Sequence, residues 1–274
     1  MDSKKIAIIG GGNMGLALVR GILKTKWATP DRIMIAEPLK EKLDQAKAAH
    51  GIRGSHSNVE AAQWADVILL SVKPQIMGHV LEEIKPAVKD SKLIISVAAG
   101  VTTAYIEKKV GGNVPVVRAM PNIAALVRES ATVICAGKHA TEKEMSIAKH
   151  IFESVGLVVD LDEEGLMDAV TGLSGTGPMY VFQILEGLSD AGVKVGLSRD
   201  MANQLAVQTL IGSSKLIQET KEHPAKLKDL VTSPGGTAIS ALHSLEKNGL
   251  KALLIDAVEV AAKRSGELGA LRKD

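Results

Sequence analysis

A four-residue apolar run, Ile6-Ala7-Ile8-Ile9, opens directly onto Gly10, Gly12 and Gly15, and apolar residues then recur at helical spacing (Leu16, Leu18, Val19, Ile22, Leu23). Strand, glycine turn and helix in immediate succession put a helix N-terminus at the carboxyl end of a strand. There, unpaired N–H groups and the helix dipole favour a phosphate. Each glycine has its own task in such a turn: Gly10 permits the tight turn, Gly12 admits a pyrophosphate close to the backbone, and Gly15 lets the helix lie against the strand. The pattern also asks for an acidic residue about 20 positions on, at the end of a second strand. Glu37 stands there, after Arg32-Ile33-Met34-Ile35-Ala36. A Rossmann dinucleotide site is the expectation.

Strand-like runs continue near Ile52 and at 66–72, 92–97, 115–120, 132–135 and 157–160, with helical segments between them, among them a charged one at about 39–50. Most of these runs are apolar throughout, as strands buried on both faces are. The expected fold class is α/β: a doubly wound, mostly parallel sheet over residues 1–162, with ligands at the carboxyl ends of the strands. Those ends read Gly10, Glu37, Val72-Lys73-Pro74, Ala98-Ala99-Gly100 and Met120-Pro121-Asn122.

Over residues 163–274 the strand signal stops. Helices of Ala, Leu, Gly, Val and Lys are interrupted at 174–178, 196–199, 223–224 and 233–236. Segments 166–172, 180–194 and 201–218 are apolar around much of their circumference. Such helices need burial on more than one side, which so short a region cannot supply alone. An all-α domain that binds substrate and dimerises is expected.

Composition removes other classes. A net charge of +2, without a basic stripe interleaved with aromatics, argues against nucleic acid as a partner. The lone cysteine, Cys135, lies in an apolar run and reads as a small buried residue. No metal site is expected. No apolar stretch reaches the roughly 18–20 residues of a membrane span. The amino terminus runs straight into a strand without a signal-peptide pattern, so a cytoplasmic protein is expected.

A nicotinamide enzyme that oxidises an alcohol needs a general base such as Lys or His. The interruptions Ser174-Gly175-Thr176-Gly177 and Ser233-Pro234-Gly235-Gly236-Thr237 carry neither. They offer backbone N–H groups and hydroxyls, which suit a small anionic substrate. Thr237 reads as the N-cap of the next helix and Asn248-Gly249 as its stop. Reduction of an already protonated imine fits, because hydride delivery in the right orientation suffices.

Motifs along the whole chain resemble those of the pyrroline-5-carboxylate reductase family. They are GGGNMG at 10–15, Ser71 to Pro74, Ser96 to Thr102, Arg118 to Asn122, TGLSGTGPMYVF at 171–182 and HPAKLKDLVTSPGGTAI at 223–239. The resemblance implies reduction of 1-pyrroline-5-carboxylate to L-proline with NADPH or NADH. It also implies a homodimer with interleaved helical domains, often assembled into a ring of dimers, whose Ser233–Gly236 loop closes the substrate pocket. Gly10, Gly12, Asn13, Met14 and Gly15 would hold the pyrophosphate. Asn58 with Ser71, Val72, Lys73 and Pro74 would line the adenosine and ribose side, and Ala98, Ala99, Gly100 and Asn122 would approach the nicotinamide. Gly175, Thr176, Gly177, Ser233, Gly235, Gly236, Thr237 and Ala238 would surround the substrate. Lys228 and Asp229 are expected to pair with neighbours or cap helices, His223 to lie in a turn, and His243 to be partly exposed.

The chain departs from the family pattern twice. The family loop commonly places a threonine second after SPGG, with its hydroxyl on the substrate nitrogen. Here the two positions are Thr237 and Ala238. Losing one hydrogen bond to a charged group costs about 1.5–3 kcal/mol, which leaves hydride geometry and the backbone donors in place. The second departure is Glu37, which favours the free 2′-hydroxyl of NADH over the 2′-phosphate of NADPH, with Lys40 near enough in sequence to offset part of that. Two other readings remain: an oxidoreductase like the β-hydroxyacid dehydrogenases, which needs a catalytic lysine not found here, and a catalytically weak, nucleotide-binding regulatory paralogue.

Overall fold

A computed structural model describes residues 4–270. Eight strands form one sheet in the order β3-β2-β1-β4-β5-β6-β7-β8: β1 Ile6–Ile9, β2 Ile33–Ala36, β3 Arg53–Ser55, β4 Val67–Leu70, β5 Leu93–Ser96, β6 Val116–Met120, β7 Ser130–Ala136 and β8 Gly156–Leu161. The first six run parallel, β7 is antiparallel to β6, and β8 is parallel to β7. The reversal follows from chain length. Residues 121–129 hold only a short 3₁₀ turn, and a parallel crossover needs a dozen residues or more.

Helices α1 Asn13–Lys24, α2 Lys40–His50, α3 Asn58–Trp64, α4 Met77–Ile84, α5 Thr103–Val110 and α6 Glu142–Glu153 connect the strands. Alternate strand residues feed two cores. Ile6, Ile8, Ile33, Ile35, Val67 and Leu69 pack with α1, α2 and α6, where Phe152 is fully buried. Ala7, Ile9, Met34, Ile68, Leu70 and Ile94 pack with α3, α4 and α5. Every residue of β1, β2, β4 and β5 is buried, as expected of a sheet covered on both faces. Cys135 is buried here, and burial pushes its thiol pKa up.

After the sheet come α7 Met167–Val170, α8 Gly177–Lys194, α9 Arg199–Thr220, α10 Pro224–Val231, α11 Thr237–Lys247 and α12 Leu250–Ala270. The chain divides into two compact units, residues 1–176 with 259–274, and residues 177–258. No helix among the described residues is long and apolar enough to cross a membrane.

Candidate nucleotide site and substrate turn

The strand order reverses between β1 and β4, whose carboxyl ends define the crevice where doubly wound sheets take their ligands. Hydrogen bonds hold the neighbouring strand ends level: Gly10 N donates to Ala36 O (2.9 Å), Ser71 N to Ile9 O (2.8 Å) and Glu37 N to Ser55 O (3.1 Å). Gly10 turns at φ +107°, where a Cβ would stand 2.5 Å from Ser71 O, and a Cβ at Gly15 would stand 2.3 Å from Gly10 O. Gly12 differs, because a Cβ there meets nothing within 4 Å. Gly12 is also the N-cap of α1 and supplies no side-chain acceptor. The residues therefore fit a pyrophosphate: open space above Gly12 and first-turn N–H groups of α1, with Asn13 exposed and Met14 half-buried beside them.

Glu37 lies against this turn and is buried. Its Oε2 accepts from Gly11 N at 3.0 Å and its Oε1 from Leu39 N at 3.1 Å. Two backbone donors thus hold the carboxylate in place at the rim. His56 bonds the Glu37 carbonyl through Nδ1 (3.1 Å). Lys40 is exposed and forms no ion pair with Glu37. Asn58 opens α3 and donates to Glu83 Oε2 (2.9 Å). Ser71 and Val72 are half-buried, Lys73 is exposed, and Pro74 starts a 3₁₀ turn. At the end of β5, Ala98 and Gly100 are buried and Ala99 is half-buried.

Asn122, at the end of β6, has both polar side-chain atoms hydrogen-bonded. Its Oδ1 accepts from Ala124 N (3.1 Å) and its Nδ2 donates to Ser174 O (3.0 Å). Ser174 belongs to a π-helical turn, Thr171–Gly175, that joins α7 to α8. The sequence reads as an interruption here, yet the chain stays helical with a widened turn. Three hydroxyls bond back to carbonyls in this widened turn: Thr171 donates to Met167 O (2.8 Å), Ser174 to Val170 O (3.1 Å) and Thr176 to Thr171 O (3.0 Å). A Cβ at Gly175 would stand 2.6 Å from Met120 Cε, so this glycine seats the turn against the end of β6. π-turns of this kind concentrate at functional sites.

In the second unit, Ser233-Pro234-Gly235-Gly236 forms a β-turn closed by Gly236 N donating to Ser233 O (3.0 Å). Pro234 at its second position and Gly235 at φ +67° in its third make it type II. The N-cap of α11 is Gly236, without a side-chain bond, and Thr237 is the first helical residue. Thr237 is therefore not the cap expected from the sequence, because the glycine turn delivers the chain into helical geometry one residue earlier. Thr237 is exposed, Ala238 is half-buried, and Gly177, which begins α8, is half-buried. Asn248 ends α11 as expected. His223 is more than a turn residue: it caps α10, its Nδ1 accepting from Ala225 N (3.2 Å). Lys228 pairs with Glu246 (3.6 Å), and His243 is exposed.

The cofactor candidates thus share one rim of the first unit, together with Gly175 and Thr176. Ser233 to Ala238 form a separate turn in the second unit. The sequence reading missed Gly11, whose N–H holds Glu37, and His56 and Glu83 behind Glu37 and Asn58. The run of three glycines at 10–12 was the available signal for the first of these.

A doubly wound sheet with a glycine-capped helix at its switch point defines a dinucleotide-binding α/β protein. Residues 5–100 match the model for NADP oxidoreductase, coenzyme F420-dependent, and residues 164–268 match that for pyrroline-5-carboxylate reductase dimerisation. The chain is 44% identical to a pyrroline-5-carboxylate reductase of Methanosarcina acetivorans, covering 98% of this chain and 99% of the relative. It superposes on a pyrroline-5-carboxylate reductase of Coxiella burnetii with a TM-score of 0.92 at 37% identity, covering 97% of this chain and 99% of that one. The enzyme from Plasmodium falciparum, solved with NADP bound, gives 0.89 at 36% identity over 98% and 99%. The chain belongs to the pyrroline-5-carboxylate reductase family.

Proposed function

We infer that the chain reduces 1-pyrroline-5-carboxylate to L-proline with NAD(P)H, as its family membership implies. Within the structure, the observation that supports this reading best is a pair of helix N-termini. Helices α3, α5, α6, α9 and α10 are capped by the side chains of Ser57, Thr102, Thr141, Ser198 and His223. Helices α2, α4 and α7 follow the non-capping residues Leu39, Ile76 and Leu166, whereas α1 and α11 follow glycines, which offer the first-turn N–H groups no side-chain acceptor of their own. A pyrophosphate suits the first and a substrate carboxylate the second.

When bound, the nicotinamide supplies the hydride. Gly10, Gly12, Asn13, Met14 and Gly15 hold the phosphates, with Asn58 and Ser71 to Pro74 on the ribose side and Ala98 to Gly100 and Asn122 toward the nicotinamide. Gly175 to Gly177 and, separately, Ser233 to Ala238 are the residues assigned to the substrate. No residue of the 233–238 turn is a strong base, and the protonated imine needs none: orientation of the electrophilic carbon carries the rate. The functional division runs at residue 162, nucleotide before it and substrate and dimer contacts after it, with dimers closing into a ring. Neither the β-hydroxyacid dehydrogenase reading nor the regulatory-paralogue reading is favoured by the comparisons.

Because two backbone N–H groups fix the Glu37 carboxylate at the rim, NADH is expected to be at least as effective a donor as NADPH. The test is the oxidation of each cofactor with pyrroline-5-carboxylate, followed at the nicotinamide absorbance. Turnover with neither cofactor overturns the enzymatic reading. Glu37→Ser is expected to move the kcat/KM ratio toward NADPH. A wild-type preference for NADPH above about tenfold, or 1.4 kcal/mol, shows that the carboxylate does not face the ribose.

A further inference from the structure

Arg118, in the middle of β6, is 4% exposed. Its Nη1 pairs with Glu164 Oε1 at 3.1 Å, and Glu164 also accepts from Thr103 N (2.9 Å) and Thr103 Oγ1 (2.7 Å). The second guanidinium nitrogen, Nη2, is buried and has no hydrogen-bond partner among the described residues. Arg118 lines a cavity of about 200 Å³ that is also walled by Gly100, Thr102, Tyr105, Asp168 and Gly266, all in the first unit. Asp168 Oδ1 accepts from Ser265 Oγ (2.7 Å), and Arg118 forms no ion pair with Asp168. The cavity is thus walled by the side chain that carries this unpaired nitrogen and by a carboxylate with acceptor capacity to spare.

We propose that this cavity binds a small zwitterionic amino acid, its carboxylate toward Arg118 and its ammonium group toward Asp168. The charges around the cavity decide the ligand class. One guanidinium stands against two carboxylates, those of Glu164 and Asp168, so a bare anion enters a site of net negative charge. A bare cation leaves Nη2 unmet. A zwitterion satisfies both walls without adding net charge, and glycines at 100 and 266 leave room for its body. The product of the proposed reaction belongs to this class and serves as the probe.

The test is equilibrium dialysis of the full chain with labelled L-proline, comparing the wild type with Gly266→Leu. A Cβ at Gly266 stands 3.4 Å from Asp168 Oδ2, ordinary contact, so the leucine grows into the cavity from a helix that tolerates it. The variant is expected to bind one equivalent per chain fewer than the wild type while keeping its pyrroline-5-carboxylate turnover. Cyclopentanecarboxylate and pyrrolidine, each bearing one of the two charges, are expected not to compete for that equivalent. Equal stoichiometry in the two proteins overturns the proposal, as does competition by cyclopentanecarboxylate on a par with proline. If the leucine variant does not fold, Asp168→Asn decides, with an expected loss of at least tenfold in affinity at this site; unchanged affinity overturns the proposal. If the reductase reading were wrong, the wild type would bind one proline and the variant none, a result separate from failure of this site.

Discussion

The two units of the chain solve the burial problem differently. In the first, a sheet with helices on both faces closes around its own apolar side chains, and α1 alone buries Ala17, Leu18, Val19 and Ile22. In the second, α8 buries only Ser189, α9 only Ala202 and Ala206, and α10 and α11 bury nothing. Phe182 is 62% exposed, Leu230 74% and Leu253 63%. A covered sheet can satisfy its hydrophobic faces within one chain, whereas helices apolar on several sides cannot. The second unit is a half-built core, which accords with the dimerisation family model matched over 164–268.

Breaking that half-core carries the largest expected effect. Each large apolar side chain buried between copies contributes about 1.5–3 kcal/mol, and a charge placed among them reverses the sign. The double variant Phe182→Glu, Leu253→Glu is expected to dissociate the assembly in multi-angle light scattering and to abolish turnover. The wild type is expected to be a dimer or larger at micromolar concentration. A monomeric, active wild type would show that the exposed helices are complete as they stand.

A sharper comparison lies within the first unit, between glycines that build the turn and the one that leaves it open. Gly12→Val adds a side chain where a Cβ meets nothing within 4 Å, at an ordinary φ of −75°. Folding is therefore expected to survive with a loss of about 1 kcal/mol or less from the poorer N-cap. Nucleotide binding is expected to vanish, because the valine occupies the phosphate space. Gly15→Val, pressed against Gly10 O, is expected to unfold the unit outright. Calorimetry for stability and fluorescence titration with NADH separate the two, and unchanged NADH affinity in Gly12→Val sinks the nucleotide-site assignment.

The first unit was the more legible in sequence for the same physical reason. Strand runs such as Val67 to Leu70 announce their own burial, and the glycine turn has a fixed geometry that spacing encodes. The antiparallel reversal at β7 rests on a connection length, which becomes visible only once both strand ends are known. The segment at 171–175 stays helical as a widened turn, with hydroxyls of Thr171, Ser174 and Thr176 bonded to earlier carbonyls, although its glycines read as a break. Arg118 was visible as a letter in a motif, but its charge partner Glu164 lies 46 positions away. No local pattern links such a pair, and the same holds for Asp168 and Ser265, 97 apart.

The smallest expected effect compares the two glycine-capped helices. At α1 the backbone alone is proposed to receive the ligand, whereas at α11 the family pattern adds a threonine hydroxyl at the position of Ala238. Restoring it tests whether the second unit's N-terminus works by backbone donors alone. Ala238→Thr is expected to raise kcat/KM for pyrroline-5-carboxylate by about tenfold, the equivalent of roughly 1.4 kcal/mol from one regained hydrogen bond. Thr237 is the internal rival. Since Gly236 and not Thr237 is the N-cap, the Thr237 hydroxyl has no capping duty and is exposed beside the turn. If that hydroxyl already reaches the substrate nitrogen, Thr237→Ala lowers kcat/KM by a similar factor and Ala238→Thr gains nothing. If neither substitution moves the rate, α11 resembles α1, and backbone N–H groups with hydride orientation carry the reaction unaided.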